Sequence, residues 1–434
     1  MTKYQSSRRR LLKEVVCPHC WATFKPEDVL WIAEDPTLLG DDRLGESERV
    51  RFLPTEYDEH GTPLDPRGKS CRDMACPRCH LKIPAPALDS PPIFMSIVGS
   101  PACGKSYYLA SSTWSLRRAL PSKFQAIFTD ADPGMNHRIR HYESLQYEDG
   151  GRGLVRIDKT EEQGDLYDAV RLGEQTVVLP QPFVFLVAKS NARGSETDDA
   201  KNYSRMICLY DNAGESYLPS NDFGSSPVTR HLERSKCVFF LFDPTQDAQF
   251  RREFVRRYSD ATVFDSSSSA TTGGTAIRQE AVFGETTRRI RSLRHMTTND
   301  RFEDLLIVIV SKADVWSRLS PPLAQLIEKS PFSRKSGAED YGLRSDKIEA
   351  ASRETRELLA RFAPEFVSSV ENFARDVVFV PVSATGVAPS VDSETNASGF
   401  RVEDMKPVWA TAPMLYALHR LAPDLIPAGR VSKE

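Results

Sequence analysis

A glycine-rich run near residue 100 has the residue types of a phosphate-binding loop. It consists of Gly99, Ser100, Pro101, Ala102, Cys103, Gly104, Lys105 and Ser106, with Tyr107 directly after it. The glycines allow a tight loop whose backbone N–H groups converge on phosphate oxygens, and Lys105 can reach the β and γ phosphates. The Ser106 hydroxyl can bind magnesium, and the helix that follows adds its positive end. We therefore predict a P-loop, with Cys103 as a buried filler rather than a redox switch.

A second element on the phosphate side follows the apolar run Arg205–Tyr210. Asp211, at the end of this predicted strand, can hold magnesium through a water molecule. Gly214, three residues later, can offer its N–H to a γ phosphate. Because the pattern follows an apolar strand and lies downstream of the P-loop, it predicts a contact with magnesium and the γ phosphate.

Two later apolar runs end in residues that can select guanine. Leu305–Val310 is followed by Lys312 and Asp314, and Val377–Val382 is followed by Ser383, Ala384 and Thr385. In doubly wound sheets, ligand contacts lie at the carboxyl ends of the strands. The Asp314 carboxylate can accept hydrogen bonds from the ring N–H and the amino group of guanine, a donor pair that adenine lacks, and Lys312 can lay its alkyl stem over the base. The predicted nucleotide is GTP.

Cysteines near the N-terminus form two C-P-x-C pairs, Cys17 with Cys20 and Cys76 with Cys79. Each pair turns two thiolates toward one point, so two pairs can complete a tetrahedron around zinc. Iron in a rubredoxin-like site is the main alternative. We expect the neighbouring donors not to be ligands: Cys71, His19 and His80. The module lacks a dense basic and aromatic face, so contact with protein is expected rather than with nucleic acid.

The ordered motifs GSPACGKS, DNAG, SKAD and SAT resemble those of the translation-factor and Ras-like (TRAFAC) class of P-loop GTPases. The resemblance covers Ile93 to Leu421 and implies GTP, magnesium and two switch segments that respond to the γ phosphate. An antiparallel hairpin, expected from Phe183–Ala188 and Arg205–Tyr210, supports this class over the related one with an all-parallel core. With its N-terminal cysteine module, the chain looks like the double-GTPase families of bacterial conflict and antiviral defence systems, which implies a partner GTPase or an effector.

Two departures from the family pattern affect turnover and base selection. Glu215 stands where many such GTPases have the glutamine that orients the attacking water. A carboxylate can accept a hydrogen bond from that water but cannot donate one, so we expect a slow or partner-stimulated GTPase. Ser311 replaces the usual Asn or Thr of the guanine motif, which leaves base selection to Asp314.

No motif fixes the threonine of switch I. Thr176 is our candidate, and an ordinary loop threonine is the alternative. Three arginines of the same region are candidates for an internal arginine finger, with solvated surface residues as the alternative: Arg152, Arg156 and Arg171. Two other functions are compatible with the sequence, namely a nucleotide-binding scaffold without hydrolysis, which Glu215 permits, and a general P-loop ATPase.

Composition gives no global indication of nucleic-acid or membrane binding, because the 434 residues carry a formal net charge of only −3. No apolar stretch is long enough to span a bilayer and no signal peptide is evident, so a cytoplasmic protein is expected. Alternation of strands and helices predicts an α/β class with a doubly wound, mostly parallel sheet. We expect a zinc-ribbon-like module with a proline-rich linker over residues 1–90, and a GTPase-like domain with insertions over residues 91–434.

Overall fold

The computed structural model describes residues 11–148, 154–157, 167–189, 203–211, 230–258, 278–334, 341–391 and 398–429. Three residues singled out in the sequence lie outside these ranges: Gly214, Glu215 and Arg152. Within the described residues, every helix is too short or too polar to span a bilayer.

Strands and helices alternate through most of the chain. In chain order the strands are β1 (Val15–Val16), β2 (Thr23–Phe24), β3 (Leu30–Ile32), β4 (Leu39–Asp41), β5 (Gly45–Arg49), β6 (Arg51–Phe52), β7 (Met74–Ala75), β8 (Lys82–Ile83), β9 (Pro92–Gly99), β10 (Ala126–Asp130), β11 (Tyr167–Leu172), β12 (Gln175–Pro180), β13 (Phe183–Lys189), β14 (Ser204–Asp211), β15 (Cys237–Phe242), β16 (Phe302–Val310), β17 (Phe332–Arg334), β18 (Tyr341–Leu343), β19 (Ala374–Pro381), β20 (Ser390–Val391) and β21 (Ser398–Gly399). The helices are α1 (Lys105–Phe124), α2 (His137–Tyr147), α3 (His231–Arg234), α4 (Ala248–Tyr258), α5 (Gln279–Leu293), α6 (Ala313–Trp316), α7 (Pro321–Glu328), α8 (Ser345–Phe362), α9 (Pro364–Phe373) and α10 (Ala412–Leu421).

Seven of these strands form one sheet in the order β10-β13-β14-β9-β15-β16-β19. Strand β13 runs antiparallel to both of its neighbours, and the pairs from β14 to β19 are parallel. The predicted α/β class with a mostly parallel sheet is therefore confirmed, and β13 with β14 forms the expected antiparallel pair. Strands β9, β15 and β16 are almost wholly buried, as in a sheet that is covered on both faces.

Strand β14 contributes side chains to two separate cores. Ile207 and Leu209 lie in the main core, whereas Met206, Cys208 and Tyr210 lie in a second core that also contains the four paired cysteines. This division follows from the strand period, because successive side chains point to opposite faces of a sheet. The N-terminal module therefore packs directly on one face of the central sheet.

The proline-rich segment that we expected to be a stiff linker is packed instead. It forms a 3-10 turn over Ala85–Leu88 and the start of β9 at Pro92, and Ala87 is buried in the second core. The N–H of Leu12 donates to the Leu88 carbonyl at 2.8 Å, which ties the segment to the N-terminal module. Proline suits the first turn of a helix and the first position of a strand because neither place needs its missing N–H.

Two helices have bounds that differ from the expected ones. Because a proline usually ends a helix, the sequence predicts that α1 ends at Pro121, but the helix runs on to Phe124. Burial of Leu120 and Phe124 in the main core outweighs the single backbone hydrogen bond that the proline cannot make. Of the predicted last helix, Met405–Leu421, only the part from Ala412 is helical, and a proline in its first turn marks the start.

Candidate functional site

The glycine-rich loop connects the end of β9 to the start of α1. Gly99 must be a glycine here, because a Cβ atom would lie 2.8 Å from the Cys103 Sγ atom and 3.0 Å from the Leu241 carbonyl oxygen. Gly104 precedes α1 with a φ of 92°, in the left-handed region that favours glycine. Burial raises the pKa of the Cys103 thiol to about 11, so this thiol is protonated at neutral pH, as expected of a filler.

Lys105 folds back over this loop. Its side chain is buried, and its Nζ atom donates to the Gly99 carbonyl at 3.3 Å. Ser106 is half-buried in the first turn of α1. Tyr107 packs away from the loop: its hydroxyl accepts a hydrogen bond from the Ile157 N–H at 2.9 Å, and its ring meets Phe400 edge-on. Among the described residues, the Lys105 Nζ atom therefore donates only to this neutral carbonyl, which an anionic ligand could replace.

Asp211 is the last residue of β14 and pairs in register with Ile97 on β9. Only 3% of its surface is exposed, and neither carboxylate oxygen has a hydrogen-bond partner among the residues that the structure describes. Burial raises the pKa of this carboxyl group, although the charges of Lys105 and Arg138 oppose the shift. The closest described cation is Arg138, whose Nη2 atom lies 3.7 Å from Oδ2. A buried carboxylate without partners is costly unless a ligand satisfies it, and a hydrated cation would do so.

The Ser311–Asp314 segment lies directly beside the glycine-rich loop. The Ser311 hydroxyl donates to the Cys103 carbonyl at 3.2 Å, so the two loops are tied together. Lys312 adopts a left-handed backbone conformation with φ 57°. Its Nζ atom lies 2.8 Å from the Asp243 Oδ2 atom and donates to the Thr245 hydroxyl at 3.1 Å. Ser311 thus connects the two loops, although the guanine motif usually has Asn or Thr at this position.

Asp314 interacts with the loop that follows β19. Burial raises the pKa of the Asp314 carboxyl group, and a hydrogen bond from the Ser383 side chain opposes the shift. Ser383 is buried, and its hydroxyl also accepts the N–H of Gly386 at 2.7 Å. The Ala384 carbonyl accepts from the Gln146 side chain at 3.4 Å, and the Thr385 hydroxyl donates to the Val387 carbonyl at 2.9 Å. The two segments predicted to hold a base therefore lie together.

Asp243 is a buried residue of this region that the sequence reasoning missed. It follows β15 directly, and its carboxylate accepts hydrogen bonds from the N–H and hydroxyl of Thr245 at 2.9 and 2.7 Å. The Gln279 side chain makes two hydrogen bonds of 2.8 Å to the Asp243 backbone: its Oε1 atom accepts from the N–H, and its Nε2 atom donates to the carbonyl. Its place after a wholly apolar run was a usable signal, since the same rule identified Asp211 and Asp314.

The predicted switch I threonine does not lie in a loop. Thr176 is an exposed residue of β12, where it pairs with Arg171 on β11. Buried side chains of this hairpin, Val170 and Leu179, belong to the second core, and the Arg171 N–H donates to the Arg43 carbonyl at 2.8 Å. The hairpin is therefore attached to the cysteine module, which a local sequence pattern could not indicate. Arg156 is also exposed.

The four paired cysteines form one buried cluster whose Sγ atoms lie within 4.8 Å of one another. The Cys17–Cys79 and Cys20–Cys76 sulfur distances are both 3.7 Å. A tetrahedral zinc ion with bonds of about 2.3 Å requires sulfur atoms roughly 3.8 Å apart, so the cluster could hold zinc.

Each cysteine pair is built on the same backbone turn, which we call a knuckle: Cys17–Ala22 for the first and Cys76–Leu81 for the second. In each, the first cysteine N–H donates to the last carbonyl at 3.0 Å, and the residue after the second cysteine has a φ near 60°. His19 makes other contacts, through its Nε2 atom to the Lys82 carbonyl at 2.9 Å. Cys71 and His80 lie outside the cluster as well, the latter paired with Asp41.

Comparison with known proteins adds no relative from which a role could be transferred. No family model matches the chain, and no curated protein is significantly similar to it.

Proposed function

We propose that this chain is a GTP-binding switch protein of the TRAFAC type, which hydrolyses GTP slowly or with the help of a partner and uses magnesium. We also propose that its N-terminal module carries one structural zinc ion. The family resemblance of the motifs supports a role in a signalling or bacterial defence complex with a second GTPase or an effector.

One observation supports this proposal above the others: the Ser311 hydroxyl donates to the carbonyl of Cys103, inside the glycine-rich loop, at 3.2 Å. The predicted base-binding and phosphate-binding segments are therefore held in fixed relation. They follow β16 and β9, which with β15 between them are parallel, so both segments lie at one edge of the sheet. In open α/β sheets, ligands bind at that edge.

Different residues would bind the phosphates, the magnesium ion and the base. Lys105 would exchange the Gly99 carbonyl for phosphate oxygens, and backbone N–H groups of the loop would bind the remaining phosphate charge. Ser106 and the buried carboxylate of Asp211 would hold the hydrated magnesium ion, which supplies positive charge against the phosphates. Asp314, oriented by Ser383, would accept the two donors of guanine.

Base selection gives the direct test of the proposed function. Asp314→Asn should weaken GTP binding by about 1.5–3 kcal/mol, or roughly one to two decades in affinity, because a charge-assisted contact is lost. The introduced amide can face the carbonyl of xanthine, so preference should move toward xanthosine triphosphate. The measurement is competition of labelled GTP by ATP, GTP and xanthosine triphosphate against both proteins.

Asp304→Asn is a matched control, because Asp304 lies near the start of β16, the strand that precedes Asp314, and pairs with Arg294 and Lys236. This variant should keep the wild-type order of nucleotides. If ATP competes with the wild-type protein as well as GTP does, the chain is a general P-loop ATPase. If GTP is preferred, single-turnover hydrolysis of GTP distinguishes a slow enzyme from a scaffold that hydrolyses nothing.

Asp211→Asn should weaken ligand binding without lowering the stability of the fold. Magnesium-dependent nucleotide affinity should fall by about tenfold or more, because a neutral amide binds the hydrated cation more weakly than a carboxylate does. The ligand-free protein should not lose stability. The folded-state pKa of Asp211 is raised by burial, so its ionisation destabilises the fold as pH rises through that pKa, and asparagine removes this loss.

Magnesium titrations of nucleotide binding and thermal unfolding across pH measure the two effects. Asp376→Asn, a partly exposed aspartate paired with Arg420, is the control for both. A destabilised variant with unchanged magnesium dependence would show that Asp211 is a structural residue only.

A further inference from the structure

We propose that the first knuckle holds the end of β14 in place through Tyr210, so that occupancy of the four-cysteine cluster and binding of magnesium–GTP are coupled. Tyr210 and Trp21 are then positioning residues for Asp211. The inference rests on the proposed function, because it concerns the regulation of that same nucleotide site.

Tyr210 connects the strand to the knuckle through its hydroxyl group. The hydroxyl donates to the Pro18 carbonyl at 2.6 Å and accepts from the Trp21 Nε1 atom at 2.9 Å. Both partners lie within the knuckle that carries Cys17 and Cys20. Tyr210 is fully buried and its bond to Pro18 is shielded from water, whereas the bond from Trp21 is partly buried; together they fix the hydroxyl relative to the cluster.

The same strand end carries the candidate magnesium contact on its other face. Tyr210 and Asp211 are neighbours, and their side chains point to opposite faces because the strand period is two. Tyr210 pairs in register with Ser96 and Asp211 with Ile97, close to the start of the glycine-rich loop. A displacement of the knuckle would therefore move the backbone that aims the Asp211 carboxylate.

Two further contacts connect the knuckle to segments on either side of the predicted phosphate sensors. The Tyr210 ring stacks on His231 at a centroid distance of 4.9 Å, and the His231 Nδ1 atom lies 2.6 Å from the Ser96 hydroxyl. His231 follows Gly214 in the chain. On the other side, the His19 Nδ1 atom lies 3.4 Å from the carbonyl of Pro180, shortly before β13. The knuckle thus contacts a residue that precedes the parts expected to respond to the γ phosphate, and Tyr210, which it holds, contacts one that follows them.

Coupling of this kind is reciprocal, which makes it measurable from the metal side. If the cluster orients Asp211, then bound magnesium–GTP must stabilise the cluster by the same factor, and such factors are typically about 5- to 150-fold. The readout is zinc release at equilibrium, that is, the partition of zinc between the full chain and a chromogenic chelator, with and without saturating magnesium–GTP.

We expect magnesium–GTP to lower zinc release from the wild-type protein, which corresponds to a rise in zinc affinity of about fivefold or more. Tyr210→Phe keeps the stacked ring and removes both hydrogen bonds. It should retain the wild-type zinc content by elemental analysis but lose the nucleotide effect on zinc release. Trp21→Phe removes the donor from the same hydroxyl and should act in the same direction. Tyr416→Phe is the control, because Tyr416 is also buried and its hydroxyl contacts only Arg420 among the described hydrogen bonds.

Three results would overturn the coupling. If the wild-type protein binds magnesium–GTP while zinc release is unchanged, the coupling fails and the proposed function stands. Full nucleotide protection of zinc in both Tyr210→Phe and Trp21→Phe would exclude these residues as the connection. If direct titration detects no GTP binding by the wild-type protein, the proposed function fails and the coupling fails with it.

Discussion

Lys105→Ala should abolish tight binding of triphosphates while the fold persists. Among the described residues of the ligand-free protein, the Nζ atom donates only to the carbonyl of Gly99, so the loss of this hydrogen bond should cost only about 1 kcal/mol of stability. With nucleotide bound, the same ammonium group would make charge-assisted hydrogen bonds to two phosphates, each worth about 1.5–3 kcal/mol. Affinity should therefore fall by about 100-fold or more.

Calorimetric titration with GTP and magnesium measures this loss. Lys123→Ala is a suitable control because Lys123 lies in the last turn of the same helix, above the Tyr341 ring. The control should bind GTP as the wild-type protein does. A folded Lys105→Ala protein with unchanged affinity would refute the assignment of the phosphate site, whatever base the protein prefers.

A second large effect is expected at the cysteine cluster. The double variant Cys17→Ser/Cys76→Ser should lose the single tetrahedral zinc ion per chain and unfold the N-terminal module. Structural zinc contributes about 10–16 kcal/mol of binding free energy in small zinc peptides, and the second core is built around the four sulfur atoms.

Elemental analysis and X-ray absorption report the metal and the number of sulfur ligands, and circular dichroism reports the folded fraction. Cys71→Ser controls for the loss of a buried thiol, because Cys71 lies outside the cluster. Iron in the wild-type protein, absence of metal, or unchanged zinc in the double variant would each contradict the prediction.

Much of the central sheet and of the candidate site could be predicted from the sequence, because strands and the residues that follow them obey local rules. The apolar runs that became β9, β15 and β16 were recognisable, and polar residues directly after buried strands must meet at one edge of a parallel sheet. Asp211 and Asp314 were found in this way. Asp243 satisfies the same rule but belongs to no named motif, so it was passed over.

Long-range packing accounts for what the sequence did not indicate. The apolar run of β14 predicted a strand of an antiparallel hairpin, but not that cysteine knuckles cover one face of that strand. Thr176 was expected in a loop. Local sequence could not show that it lies in a hairpin, because that hairpin is stabilised by contacts with the distant module around Arg43. Pro121 was expected to end α1, and the burial of Phe124 overrides that local preference.

The division of β14 between two cores has a consequence for how the chain folds during synthesis. The cysteine knuckles leave the ribosome long before Met206, Cys208 and Tyr210, which complete the core around them. Until then, the apolar surface of the module has no sheet to cover it, and such transiently exposed surface invites aggregation. Early capture of a metal ion would hold the nascent knuckles together while the rest of the sheet is being made, so the order of emergence favours a module that is stapled rather than one that relies on packing.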